Sequence, residues 1–176
     1  METTETHRAI EAVWRIESAR LIAGLTRIVR DVGRAEELAQ DALVAALERW
    51  PKSGIPENPG AWLMATAKHG AIDSFRRDAL IDRKHEDLGR EMAEREMRVP
   101  DLAAAMDDNI GDDLLRLVFI ACHPVLSTEA RVALTLRLLG GLTTDEIARA
   151  FLAAEPAIAQ RIVRAKRTLS EAHVPF

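Results

Sequence analysis

The feature that most constrains this chain is the stretch Leu142 to Ala172, LTTDEIARAFLAAEPAIAQRIVRAKRTLSEA, where two helical patterns meet across a very short joint. Thr143 or Thr144 can accept a backbone N–H at the start of the first helix, and Asp145 and Glu146 then fall in its first turn, where the helix dipole favours anions. Ile147, Ala148 and Phe151 are its apolar positions, and Pro156 suits the first turn of a second helix. Helices joined so tightly must cross steeply, as in a helix-turn-helix. In the second helix Ile158, Ile162, Ala165 and Leu169 recur at spacings of four, three and four residues, which makes one buried stripe. A rotation of about 100° per residue sets Gln160, Arg164 and Arg167 nearly opposite that stripe, with Val163 beside them and Arg161 and Lys166 on the flanks. These donors suit phosphates and base edges, although an amphipathic helix with a solvated basic face has the same pattern.

The rest of the chain must supply what this motif lacks. With 48% hydrophobic and 30% charged residues, the 176-residue chain has material for one substantial core or two small ones. Its patterning is helical throughout, with almost no strand-like alternation, so the expected fold is all-α. A formal charge of −4 argues against coating nucleic acid by charge alone. DNA contact must therefore be local, or a larger partner must provide most of the affinity. No apolar run is long enough to cross a bilayer and the first residues lack the order of a secretory signal, so the expected location is cytoplasmic with no membrane partner.

In chain order, Ile10, Val13, Trp14, Leu21, Leu25, Ile28 and Val29 fit one long helix or two abutting ones, interrupted around Asp31 to Gly33. A second helix over about Ala35 to Trp50 has Ala39, Leu43, Leu47 and Trp50 as its inward stripe. Glu37, Asp41, Val44 and Glu48 face outward, either as a solvated row or as a docking surface for a basic partner. The loop WPKSGIPENP leads into a helix from about Gly60 to Arg77. Leu63, Met64, Ala67, Ala71 and Phe75 face inward there, leaving Trp62, His69, Asp73 and Arg76 on the other side. An exposed Trp near His and Arg can stack on unpaired bases, and a Trp can equally cover the end of a core. The charged stretch from Asp78 and the acidic one up to Asp113 read as a linker. An apolar helix around Leu114 to Ile120 and another opening at Ser127 complete a four-helix C-terminal unit. The boundaries expected are a first unit over 1–78, a linker over 79–112 and a second unit over 113–176.

Catalytic and metal chemistry have little support. Cys122 is the only cysteine, and beside His123 it makes a poor metal site, so it reads as a buried small thiol. There is no phosphate loop, no catalytic residue is assigned, and neither a metal nor a cofactor is implied.

Three stretches in this order, AEELAQDALVAALERWP, AWLMATAKHGAIDSFRR and LTTDEIARAFLAAEPAIAQRIVRAKRTL, resemble the extracytoplasmic-function sigma factors of bacterial RNA polymerase over nearly the whole chain. The resemblance implies a non-enzymatic subunit that binds core polymerase and directs promoter-specific initiation. Its first domain would dock on the clamp helices and melt the minus-ten element; its second would read the minus-thirty-five element and rest on the flap of the beta subunit. Glu37, Gln40 and Asp41 then become candidate clamp contacts. Trp62, Lys68, His69, Asp73, Arg76 and Arg77 fall where relatives handle the melted strand. Ala159, Gln160, Val163 and Arg164 fall where base pairs are faced, and Arg161 and Arg167 are candidates for phosphates. His69 replaces the Asn of many members, and Ala159 replaces a longer polar side chain of some. The phrases WPKSGIPENPGAWL and ACHPVLSTEARVALTLRLLGGLTTDEIARAF are similar to the subgroup with a long C-terminal extension, and His173 to Phe176 lie about where that extension would begin. Members are often held inactive by an anti-sigma protein or by such an extension. The alternative is a free-standing helix-turn-helix regulator that binds duplex DNA without polymerase, usually as a dimer; a helical interaction protein without DNA contact is a third reading.

Overall fold

A computed structural model describes residues 2–86 and 110–175. Among them are seven helices and no strand: α1 (Glu2–Val29), α2 (Val32–Ser53), α3 (Pro59–Glu86), α4 (Ile110–Ala121), α5 (Thr128–Leu138), α6 (Thr144–Ala150) and α7 (Glu155–Glu171). The all-α expectation therefore holds.

The first helix is continuous, and the break that follows is sharper than the sequence suggests. Arg30 adopts φ 54, a left-handed conformation that stops α1. Asp31 then caps α2 by accepting a hydrogen bond from the Arg34 amide at 2.8 Å. Val32 and Gly33 thus belong to α2 rather than to the break. Pro51 lies in the last turn of α2, and Gly54 follows at φ 84, so the loop starts one turn later than expected.

The inward face of α2 differs from the stripe expected from its large residues. Its interior is made by Val32, Ala35, Leu38, Ala39, Ala42, Ala46 and Trp50, whereas Leu43 is half-buried and Leu47 is 39% exposed. The reason is geometric: the four alanines let α1 and α3 approach closely, and a larger residue on that line would hold them apart. Helix α3 buries Leu63, Ala67 and Ala71, with Met64 and Phe75 half-buried, on the side expected. It continues to Glu86, past the boundary expected at Arg77, because residues 78–86 contain no Gly or Pro to end it. The remainder of the expected linker up to residue 109 lies outside the described residues.

In the C-terminal unit, Ser127 caps α5 by accepting from the Ala130 amide at 3.3 Å. Helix α7 buries Ile158, Ile162, Ala165 and Leu169, the four positions that the periodicity selects. Burying the three large ones contributes about 1.5–3 kcal/mol each and seats this helix against α5 and α6. Cys122 departs from expectation. It is exposed, with Sγ 3.7 Å from the Thr135 hydroxyl, because α4 has ended at Ala121 and the turn carries the thiol outward.

The two units share one apolar cluster that runs from Ile10 of α1 to Leu169 of α7. Helix α4 lies along α1, and α7 reaches α2. Ion pairs follow the seam: Arg27 to Asp113 at 3.1 Å and Arg15 to Glu146 at 3.0 Å. The Glu36 side chain, only 4% exposed, is held by Arg137 and Lys166.

Candidate nucleic-acid and polymerase interface

The α6–α7 pair is fastened at its start by a reciprocal cap. The Thr143 hydroxyl accepts from the Glu146 amide at 3.2 Å, while the Glu146 carboxylate accepts from the Thr143 amide at 2.8 Å. The Thr143 backbone bond, the Thr143 hydroxyl and the neighbouring Arg15 hold the Glu146 carboxyl below the usual carboxylate range, against a smaller opposing effect of burial. Thr143, not Thr144, is therefore the cap. Between the helices Leu152 takes φ 51 with its side chain 96% exposed, and the Ala153 amide donates back to the Ala148 carbonyl at 3.0 Å. That left-handed residue turns the chain into α7, which opens at Glu155 with Pro156 in its first turn.

The outer face of α7 is presented to solvent. Gln160, Val163, Arg164 and Arg167 are exposed, Val163 by 60%, and Ala159 is half-buried beside them. Two of the cations are steadied. Arg161 lies over the Phe151 ring at 5.5 Å, and Arg167 Nε donates to Glu171 at 2.6 Å, which raises the guanidinium pKa further. Gln160 and Arg164 are the two long, exposed polar side chains at the middle of the face.

On α3 the candidate residues are more occupied. Trp62 is half-buried rather than exposed: its ring meets Trp50 edge-on, with centroids 5.2 Å apart, and the Arg49 guanidinium lies 6.0 Å from it. The core-covering role is thus present, whatever else Trp62 does. Lys68 is half-buried, and burial first, then the charge of Arg27, lowers its ammonium pKa. His69, Asp73, Arg76 and Arg77 are exposed, but His69 Nδ1 lies 2.8 Å from the Ala65 carbonyl, Arg77 Nε donates to the Asp73 carbonyl at 3.3 Å, and Arg76 is 4.0 Å from the Asp73 carboxylate. From Trp62 to Arg76 the row extends about 21 Å along the helix.

The outer row of α2 carries Glu37, Asp41, Val44 and Glu48, all exposed. Gln40 differs: it is half-buried, and its amide donates to Glu36 at 2.9 Å. A further surface was not singled out from the sequence. On α4, Leu115 is 54% and Phe119 67% exposed, with Val118 between them and Cys122 at the end of the same line. The signal was the run Leu114 to Ile120, apolar on too many sides for a helix with a single buried stripe.

No group of His, Cys, Asp and Glu among the described residues is arranged to hold a metal, and no described helix is long and apolar enough to cross a membrane. Two family models match the chain: sigma-70 region 2 over residues 15–80, which takes in α2 and most of α3, and sigma-70 region 4 over residues 116–169, which takes in α5, α6 and most of α7. The chain belongs to the sigma-70 family, in its extracytoplasmic-function group. An uncharacterized protein of Rhizobium meliloti is 38% identical over 157 residues, 88% of this chain and 36% of that protein. A probable ECF RNA polymerase sigma factor, SigI, of Mycobacterium tuberculosis is 26% identical over 168 residues, 96% of this chain and 57% of that one. The chain thus spans about a third and somewhat over half of the lengths of these two relatives.

Proposed function

We propose that this protein is a non-catalytic subunit that binds core RNA polymerase in the cytoplasm and directs promoter-specific transcription initiation. The observation that carries this reading is the order of the two sigma-70 regions on one chain, the second ending in a helix that exposes Gln160, Val163 and Arg164. The first unit, residues 1–78, handles the minus-ten element through the row from Trp62 to Arg77. The second, residues 113–176, reads the minus-thirty-five element through Gln160, Val163 and Arg164, with Arg161 and Arg167 on phosphates. Such a division suits a chain of net charge −4, since polymerase supplies affinity that the chain's own charge does not.

Two surfaces serve polymerase in this reading. Glu37 and Asp41 of the acidic row, with the half-buried Gln40 beside them, meet the clamp helices, and Leu115, Val118 and Phe119 offer an apolar face to the beta flap. The experiment is to mix the chain with core polymerase and assay both retention and transcription from a promoter library. A stable complex that starts at defined promoters is expected, and failure to bind core defeats the reading. Asp41→Ala should weaken core binding more than promoter choice, and Arg164→Ala the reverse. Specific retention of promoter duplex by the chain alone, with no effect of polymerase, would instead identify a free-standing regulator.

A further inference from the structure

A cavity of about 770 Å³ opens where the ends of α1 and α7 meet the start of α2 and the middle of α4. The apolar part of its lining is Val32, Ile120, Leu169 and Val174, the first three of them buried. Three guanidiniums line it as well, those of Arg27, Arg30 and Arg116, together with the imidazole of His173. Asp31 is the one acid in the lining, and its carboxylate already caps α2 by accepting from the Arg34 amide at 2.8 Å. A further acid, the buried Asp113, lies 3.1 Å from Arg27 and 4.0 Å from Arg116, so one carboxylate serves two guanidiniums. Arg30 forms an ion pair with no carboxylate among the described residues. On a chain of net charge −4, the cavity is a local concentration of positive charge.

We infer that this cavity binds a phosphorylated organic anion of nucleotide size, with Arg27, Arg30 and Arg116 on its phosphates and the apolar lining against its uncharged part. The volume falls within the range of roughly 300–1,000 Å³ usual for small-molecule sites. Guanidinium forks match phosphate oxygens two at a time, with a directed geometry that a point charge lacks. The backbone supports the same reading. Arg30 at φ 54 and His173 at φ 48 are two of the three left-handed non-glycine residues among the described ones, and both line this cavity. Glycine takes that conformation at a helix end without steric cost. A basic side chain stands at both positions against the local preference, and strain of this kind gathers at binding sites. Helix C-termini attract cations by themselves, which accounts for a charge at Arg30 and His173. Arg116 comes in from the middle of α4 and has no such reason to be there.

The arrangement favours a small ligand over a nucleic-acid backbone. A surface that tracks a single strand sets its cations along an open groove, with aromatic rings to stack the bases. Here the cations stand around a concavity whose apolar residues are aliphatic, and no aromatic ring is in the lining. The site is also separate from the surfaces of the proposed function. None of its lining residues belongs to the outer face of α7, the row on α3 or the acidic row of α2. A ligand here leaves those faces uncovered, and its binding is measurable on the chain alone.

The test is calorimetric titration of the full chain, without divalent cations, with adenosine and guanosine triphosphates, tripolyphosphate, citrate and a short oligothymidylate. Saturable binding of a nucleoside triphosphate is expected, about fivefold or more tighter than tripolyphosphate, because only the nucleotide has a part that meets the apolar lining. Arg116→Gln and Arg30→Gly should each weaken that binding about tenfold or more, the usual loss for a charge-assisted contact. Arg30→Gly also relieves the left-handed backbone, so its unfolding temperature should hold or rise, which separates lost binding from a lost fold. Arg8→Gln, on an exposed turn of α1 outside the cavity, should bind as the parent does. Failure of both nucleotides to approach saturation by ~1 mM, or unchanged binding in both cavity variants, overturns the site. Binding of citrate or tripolyphosphate as tight as that of the nucleotides overturns the ligand class. Tighter binding of the oligothymidylate with the same dependence on Arg30 and Arg116 would make the surface a nucleic-acid contact, and that result overturns the inference as well.

Discussion

Helices α3 and α7 carry the two candidate reading faces, and they hold their polar groups in different ways. On α7 the groups at the centre, Gln160 and Arg164, point to solvent, while the neighbouring cations are steadied by Phe151 and Glu171. On α3 the ring of Trp62 is committed to Trp50, Lys68 is half-buried, and His69 and Arg77 lie against carbonyls of their own helix. A duplex presents base edges in a regular groove, so a reader that waits in the open is already shaped for it. A melted strand arrives without regular shape, and groups resting on their own helix must be drawn away to meet it. Under the proposed function, the difference separates a preformed reader from one assembled on contact.

The largest way to break this contrast is Trp62→Ala. Removal of a ring that packs on Trp50 should cost about 3 kcal/mol of stability, near the low end for a core aromatic. Thermal unfolding would show it, and binding of a single-stranded minus-ten oligonucleotide by holoenzyme should fall as well. Next, Arg164→Ala should lose about 1–3 kcal/mol of discrimination at the minus-thirty-five element, read by competition between cognate and altered duplexes. Its unfolding midpoint should stay where it was; a marked drop would mean that α7 depends on its outer face as α3 does. Arg161→Ala should cost about 0.5–1 kcal/mol through the lost contact with Phe151, detectable as a small drop in the unfolding temperature together with weaker duplex binding. The smallest effect belongs to Leu152→Gly. Relief of the left-handed backbone, about 1–2 kcal/mol, is set against the entropy of glycine, about 0.5–1 kcal/mol, so a slight rise in stability is expected from denaturant titration.

The same contrast marks how far the sequence reaches. The buried stripe of α7 was legible because its four members follow a period that only a helix has, and a cap at Thr143 or Thr144 because threonine there precedes an acidic first turn; the structure selects Thr143. Signals confined to one helix can be read locally. Glu36 was not legible: its cationic partners lie 101 and 130 residues along the chain, and no local pattern links them. The inward face of α2 was misjudged because size was taken as the guide to burial, giving Leu47 a place that Ala42 and Ala46 hold. Of the two roles left open for Trp62, the structure shows the core-covering one, while the reading of Cys122 as buried was reversed. Trp50 one loop earlier partly covers the first, and the end of α4 uncovers the second. The spacing anticipated the exposure of Gln160, Val163, Arg164 and Arg167 on α7 and of His69, Asp73 and Arg76 on α3, but their competing contacts depend on side-chain geometry that spacing does not encode.

The alanine line of α2 separates two kinds of tolerance. Ala35, Ala39, Ala42 and Ala46 leave only methyl groups between α2 and the helices against it, so enlargement there would force the scaffold apart. Glu37, Asp41, Val44 and Glu48, on the same helix, touch none of that spacing. If the outer row meets polymerase as proposed, a lineage, or an engineer, could rewrite it to suit a different polymerase while the frame carrying both candidate faces keeps its dimensions. Compatibility with the host machinery and integrity of the fold become separately adjustable within twenty-two residues of one helix.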